Sequence, residues 1–468
     1  MIIEQIYTGC LAQGAYYIES NGEVAIIDPL REVQDYLDRA AKKNAKIKYI
    51  FETHFHADFV SGHVTLAEKT GGKIVFGPNA KTKFDSHIAK DGEVFKLGNI
   101  TITVLHTPGH TMESTTYLLK DENGKDHAIF TGDTLFLGDV GRPDLAQKSD
   151  VTQDDLAAIL FDSLRNKIMT LADDVVVYPA HGAGSACGKN LSKETIGTLG
   201  EQKATNYALR PDMTKEEFVK EVTDGLLPPP AYFPLNVMLN KEGYQSIDDV
   251  IETGTRALSV KDFELIANET DALILDVRHQ SKFIKGFIPQ SIFIGLGGTF
   301  APWVGALVKD IKQPILLVVP EGKAEETITR LSRVGFDNVL GYLEGGFDAW
   351  KASGKDIDTL TSVSADVLEQ KINEEALVFD VRKPGEYAAE HIENVSSTPL
   401  DFLNDYISEF PTNKDFYVHC AGGYRSVIAS SILKARGFNK VIDVAGGYAA
   451  IRETGIKRTD VVSCSSSK

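Results

Sequence analysis

Thr53-His54-Phe55-His56-Ala57-Asp58-Phe59-Val60-Ser61-Gly62-His63 is the stretch on which the fold turns. It follows the β-rich run Lys48-Tyr49-Ile50-Phe51, so its first two histidines stand on a loop just past a strand end. Histidines so spaced can turn toward one centre, and imidazole is the commonest neutral ligand for a first-row metal. Further on, Thr107-Pro108-Gly109-His110-Thr111, Thr131-Gly132-Asp133-Thr134 and Tyr178-Pro179-Ala180-His181-Gly182 each set a His or Asp in a Gly- or Pro-bearing turn beyond another β-run. One polar loop residue of this kind carries no message. Recurrence of the same context, with HxHxD spacing at its head, points to a metal centre where loops gather at one edge of a sheet. His63, His87, His106 and His127 lack that context and are expected on the surface or as satisfied core histidines.

Outward from this stretch, short β-rich runs at 23–28, 73–76, 101–105, 127–130 and 175–178 are interleaved with helical patterns at 33–43 and 154–171. Leu226-Leu227-Pro228-Pro229-Pro230-Ala231-Tyr232-Phe233-Pro234 can continue neither a helix nor a central strand and marks the exit from this unit. A first domain at 1–240 and a linker at 241–256 are therefore expected. From about Ala257 the chain repeats itself: Leu273-Ile274-Leu275-Asp276-Val277-Arg278 returns as Leu377-Val378-Phe379-Asp380-Val381-Arg382, and Leu343-Glu344-Gly345-Gly346-Phe347 returns as Val444-Ala445-Gly446-Gly447-Tyr448. Two copies of one unit, at 257–355 and 360–462, each a mostly parallel sheet covered on both faces, complete an α/β multidomain chain.

Thr-His-x-His-x-Asp with the later Pro-Gly-His, Gly-Asp-Thr and Pro-Ala-His resembles the metallo-β-lactamase family, which implies an αββα sandwich with a one- or two-metal site. The family's common pattern is HxHxDH, and here Phe59 replaces the last His, which removes an imidazole from a second metal position. His54, the segment Gly138-Asp139-Val140-Gly141-Arg142-Pro143-Asp144 and Ala180-His181-Gly182-Ala183-Gly184-Ser185-Ala186-Cys187-Gly188 resemble, more narrowly, the persulfide dioxygenase branch. That resemblance implies one Fe(II) per chain on His54, His110 and Asp133, with His56, Asp58 and His181 orienting ligands or bound water, His56 staying open as a ligand, and Arg142 contacting the thiol substrate. Two imidazoles and one carboxylate on one face leave positions where dioxygen and a sulfur ligand bind together, whereas zinc has no redox chemistry to offer. Cys187 is read as a small buried hydrophobe, with a second sulfur-handling thiol as the alternative.

In the second repeat the run Asp415-Phe416-Tyr417-Val418-His419 leads into Cys420-Ala421-Gly422-Gly423-Tyr424-Arg425 and then a helix over 426–436. Two glycines permit a tight loop with inward N–H groups at a helix N-terminus, a setting that stabilises a thiolate able to carry sulfane sulfur, with Arg425 available for an anionic acceptor. This loop, with Asp380-Val381-Arg382, Glu386-Tyr387, His391-Ile392 and Gly446-Gly447, resembles rhodanese, the thiosulfate sulfurtransferase family. In the first repeat, spacing from Asp276 sets Pro320 where Cys420 belongs, so that copy resembles an inactive rhodanese. Asp276 and Arg278 persist without the nucleophile and are expected to serve the scaffold.

The 468 residues carry 49 Lys plus Arg against 66 Asp plus Glu, and the resulting net charge of −17 repels phosphate backbones and anionic lipid. No nucleic acid and no membrane partner are expected. Four scattered cysteines fit a reducing, cytoplasmic setting, with Cys464 on a frayed tail. Together the resemblances imply a dioxygenase–sulfurtransferase fusion in sulfide detoxification, acting on a thiol persulfide, O2 and sulfite, as a monomer or a homo-oligomer. Two alternatives stand beside it: a zinc thioester hydrolase of the glyoxalase II kind with a sulfurtransferase module, and a non-catalytic sulfur relay or sensor.

Overall fold

Alternation decides the first unit. Ile100–His106 buries every second residue, and Ile102 and Val104 meet Tyr16, Ile18, Phe51 and Val75 of another sheet in one core together with Tyr117, Leu119 and Phe130. Each such fully buried large apolar side chain contributes about 2–3 kcal/mol. The computed structural model describes residues 1–146, 151–372 and 374–460; Cys464 lies outside them. The two facing sheets have six strands each, the first running in chain order from Ile2–Thr8 to His87–Ile88 and the second from Val94–Leu97 to Gly197–Thr198. Their outer faces are covered by helices: Tyr36, Ala40 and Leu66 pack on the first sheet, Ala157, Leu160 and Phe218 on the second. The result is the expected αββα sandwich.

By contacts the described chain divides into two units, Met1–Asp249 with Leu331–Gly335, and the described remainder from Val250 onward. The stretch expected as a linker carries a helix, Ile247–Gly254. Among the described residues no helix is long and apolar enough to cross a membrane.

The second unit holds two five-stranded sheets, parallel throughout and of identical strand order. Their central strands, Ile315–Val318 and Phe416–His419, are buried along their whole length, which is why both read as unbroken apolar runs. One brace recurs in each copy. Arg278 Nε and Nη2 donate to Asp276 at 2.9 and 2.6 Å and Nη2 reaches the Gly286 carbonyl at 2.8 Å; Arg382 does the same to Asp380 at 3.0 and 2.6 Å and to the Glu390 carbonyl at 2.8 Å. The Asp–Arg pair is scaffold, as expected. Register corrects one expectation: Asp276 pairs with Val318 as Asp380 pairs with His419, so Val319, not Pro320, occupies the position of Cys420. Counting from the aspartate misplaced it by one because the connection before the strand differs in length. Neither residue is a thiol.

His419 is buried with Nε2 3.8 Å from Asp380 Oδ2. Burial pushes its imidazole below the ordinary value of 6.5 against the opposing pull of Asp380. The folded protein thus binds fewer protons here than the unfolded chain, and stability is lost as pH falls through that unfolded value. His419→Gln is expected to flatten the fall in melting temperature from about pH 7.5 to about pH 5.5, to which His419 contributes up to about 1.4 kcal/mol per pH unit. A variant slope equal to the parent's, in pH-resolved thermal unfolding, refutes this.

Candidate metal centre and cysteine loop

Strand ends deliver the first site. His54 follows Lys46–Glu52, His110 lies beyond Ile100–His106 and Asp133 follows Asp126–Gly132. All three are buried, and one ligand atom from each lies within 4.8 Å of the others. His110 Nε2 is 3.4 Å and His54 Nε2 3.9 Å from Asp133 Oδ2. The other ring nitrogens set the tautomers. His110 Nδ1 donates to the Arg142 carbonyl at 2.8 Å, so in the neutral ring Nε2 keeps its lone pair. Thr53 spends its hydroxyl proton on Asp28 Oδ2 at 2.8 Å, which leaves its oxygen to accept from His54 Nδ1 at 3.0 Å. Burial, then the neighbouring His56, His110 and His181, hold the His54 imidazole well below its usual value, hence neutral. Neither Asp133 oxygen has a hydrogen-bond partner. Two imidazole lone pairs facing an unpaired buried carboxylate fit a divalent metal.

Close approach requires glycine at two positions here. Gly132 sits at φ +52°, where a Cβ meets Thr53 Oγ1 at 2.5 Å, and a Cβ on Gly141 meets the Asp133 carbonyl at 2.0 Å and His110 Nδ1 at 2.9 Å.

His56 keeps other company. Its Nε2 lies 3.1 Å from Asp28 Oδ1 and 3.4 Å from Glu52 Oε2, all three groups buried, and Glu52 also faces His63 Nδ1 at 3.4 Å. Burial alone depresses the His56 imidazole, but the two carboxylates outweigh it and hold it well above its usual value. Asp28 and Glu52 escaped sequence reasoning; the available signal was an acid closing each of two β-runs. Asp58, His181 and Cys187 form a further buried group, with His181 Nε2 3.4 Å from Asp58 Oδ2 and 3.6 Å from Asp133 Oδ1. Cys187 is buried as expected, yet among polar groups: burial, then Asp133 and Asp58, push its thiol well up.

Arg142, expected to reach the substrate, spends its guanidinium within the protein. Nε and Nη2 donate to the two Asp144 oxygens at 2.6 Å each, Nη1 to the Ala186 carbonyl at 3.3 Å and Nη2 to the Leu227 carbonyl at 2.6 Å. Its observed part in the site is the carbonyl that holds His110.

In the second unit Cys420 follows Phe416–His419, and its Sγ accepts from the Gly423 N–H at 3.1 Å and lies 3.6 Å from Ser426 Oγ. The helix Arg425–Ala435 begins there. Arg425 is bound by Glu386 through two contacts of 2.6 and 2.8 Å, so its charge is shared before any acceptor arrives. Burial raises the Glu386 carboxyl, but Arg425 outweighs it and the net shift is downward.

Two family models match this chain: the metallo-beta-lactamase superfamily over residues 8–181, and the rhodanese-like domain over 259–353 and 364–454. A mitochondrial persulfide dioxygenase of Homo sapiens is 30% identical over 220 residues, 47% of this chain and 78% of that protein. A "Probable hydroxyacylglutathione hydrolase" of Schizosaccharomyces pombe is 31% identical over 188 residues, 39% of this chain and 69% of that protein. The crystal structure of a metallo-beta-lactamase from Staphylococcus aureus subsp. aureus COL is 30% identical with a TM-score of 0.66, covering 73% of this chain and 99% of that one. This chain belongs to the metallo-β-lactamase superfamily and carries two rhodanese-like domains behind that fold. A dioxygenase and a hydrolase stand at nearly equal identity, so overall likeness does not choose between their chemistries.

Gly141→Ala is expected to lower bound metal several-fold, by displacing both Asp133 and His110. Gly385→Ala, where a Cβ meets nothing within 4 Å, is the control and is expected to keep the parent content. Elemental analysis of anaerobically purified protein decides, and equal metal in Gly141→Ala and parent contradicts the assignment.

Proposed function

We propose that this chain oxidises low-molecular-weight thiol persulfides to sulfite at one ferrous ion held by His54, His110 and Asp133, and that Cys420 then passes sulfane sulfur to sulfite to form thiosulfate. The observation that carries the reading is that His56 Nε2 is engaged by Asp28 and Glu52, while Nε2 of both His54 and His110 faces Asp133. Three ligands then remain, and Phe59 offers no fourth imidazole. Iron bound there supplies the redox chemistry that joins dioxygen to a sulfur ligand. The oxidation balances as R–S–S–H + O2 + H2O → R–S–H + HSO3⁻ + H⁺. Thr53 and the Arg142 carbonyl keep the two imidazoles in the ligating tautomer, and Asp28 holds Thr53.

At the second site the Cys420 thiolate attacks the outer sulfur of a second persulfide, the S–S bond breaks and the thiol leaves. The sulfur lone pair of sulfite then attacks the outer sulfur of the Cys420 persulfide, and the thiolate departs to give thiosulfate. The Gly423 N–H steadies the sulfur at both stages. Joining the two activities suits their chemistry, because sulfite from the first is the acceptor for the second.

A metal-hydroxide hydrolase is the second reading. It is favoured by the Asp58, His181 and Cys187 group beside Asp133, which offers ligand atoms to a second ion.

Stoichiometric iron with persulfide-dependent oxygen uptake is the expected result for anaerobically purified protein. Two zinc ions with thioester cleavage and no oxygen uptake refute the dioxygenase. Cys420→Ser is expected to keep oxygen uptake and to shift the product from thiosulfate to sulfite. Equal thiosulfate from variant and parent, after correction for spontaneous reaction of sulfite with persulfide, dismisses the carrier role.

A further inference from the structure

The rhodanese-like copy that lacks a thiol grips the helix that begins at the thiol of the other copy. Its short edge strand Ile292–Phe293 leaves an N–H at Phe293, and Ser431 Oγ accepts it at 3.0 Å. Past that strand the Gly295 carbonyl accepts from the Tyr424 hydroxyl at 2.7 Å, and the Tyr424 ring meets the Phe293 ring edge-on at 5.9 Å. In the connector between the copies, Asp358 is held to Phe287 of the thiol-free copy by two backbone hydrogen bonds of 2.9 Å, and its Oδ1 lies 3.0 Å from Lys434 Nζ. Tyr424 caps the helix Arg425–Ala435, Ser431 and Lys434 lie on it, and residues 426–433 are buried along their whole run. Arg330 holds the loop beyond Gly295 from within the thiol-free copy, donating to the Leu296 and Gly298 carbonyls.

Tyr424 stands in the chain between Gly423 and Arg425. Gly423, at φ +92°, donates its N–H to Cys420 Sγ, and Arg425 carries the cation tied to Glu386. A loop with two adjacent glycines has many accessible conformations, and holding one of them takes an anchor outside the loop. We propose that the thiol-free copy is the seat of the sulfur-carrier loop, with Tyr424, Ser431 and Lys434 as positioning residues that set the Gly423 N–H and Arg425 about Cys420. The proposal rests on Cys420 being the sulfur carrier, as argued above, and gives the thiol-free copy its part in that reaction.

The test uses the full chain with thiosulfate as donor and cyanide as acceptor. The Cys420 thiolate takes the outer sulfur and releases sulfite; cyanide then removes that sulfur as thiocyanate and restores the thiolate. Tyr424→Phe keeps the ring and loses only the hydroxyl, and Ser431→Ala lies more than one helical turn beyond the loop. Each is expected to lower kcat about fivefold, the worth of one hydrogen bond, at an unchanged KM for thiosulfate and with one sulfur still loaded per chain by mass spectrometry. Lys434→Asp is expected to slow transfer similarly, and the swap of Lys434→Asp with Asp358→Lys to restore at least half of the loss, a rescue that general loosening of the fold does not produce. Parent kcat in both Tyr424→Phe and Ser431→Ala, or a swap no faster than Lys434→Asp alone, overturns the proposal. Thiocyanate formed by Cys420→Ser at the parent rate instead overturns the carrier reading itself, and the proposal with it.

Discussion

Asp133 is a buried acid with neither oxygen hydrogen-bonded, set opposite Nε2 of His54 and His110. Desolvating an unpaired carboxylate costs several kcal/mol, so an acid placed there suits a cation beside it. Gly132 and Gly141 let the backbone close in on it, and two imidazoles turn Nε2 toward it, one fixed by Thr53 and the other by the Arg142 carbonyl. Arg142 is in turn fastened to Asp144. The site is a chain of hydrogen bonds that ends at His54 and His110 beside Asp133.

A second buried cluster takes up two more histidines. His56 and His63 face Glu52, and His56 also faces Asp28, so two imidazoles and two acids share one buried cluster. His63, expected as a surface or satisfied core histidine, is buried with Nδ1 3.4 Å from Glu52 Oε1, and neither ring nitrogen has a hydrogen-bond partner. In the second unit the Asp276–Arg278 and Asp380–Arg382 braces have nearly the same geometry, although one sits below a thiol and the other below a valine. An interaction preserved where chemistry is missing belongs to the fold.

Periodicity and turn chemistry carried most of the architecture. The run 73–76 is the strand Lys73–Phe76 to the residue, and the run 101–105 sits within Ile100–His106. Less legible were the first two strands, Ile2–Thr8 and Gln13–Ser20, whose polar residues blur the alternation. The placement of Pro320 failed by one position because loop length, unlike strand register, is not conserved between repeats.

By itself the amino-acid order placed His54, His110, Asp133 and Cys420 just beyond β-rich runs, because each such run, alternating or unbroken, gives way there to a turn or loop. Only the tertiary structure decided that His56 faces two carboxylates while His54 and His110 face Asp133, and that Arg142 braces with its carbonyl while its guanidinium is already bound. Those outcomes depend on groups distant in sequence, such as Asp28 beside His56 or Gly295 beside Tyr424, meeting within hydrogen-bond reach. Such meetings arise from packing, about which a local pattern holds no information.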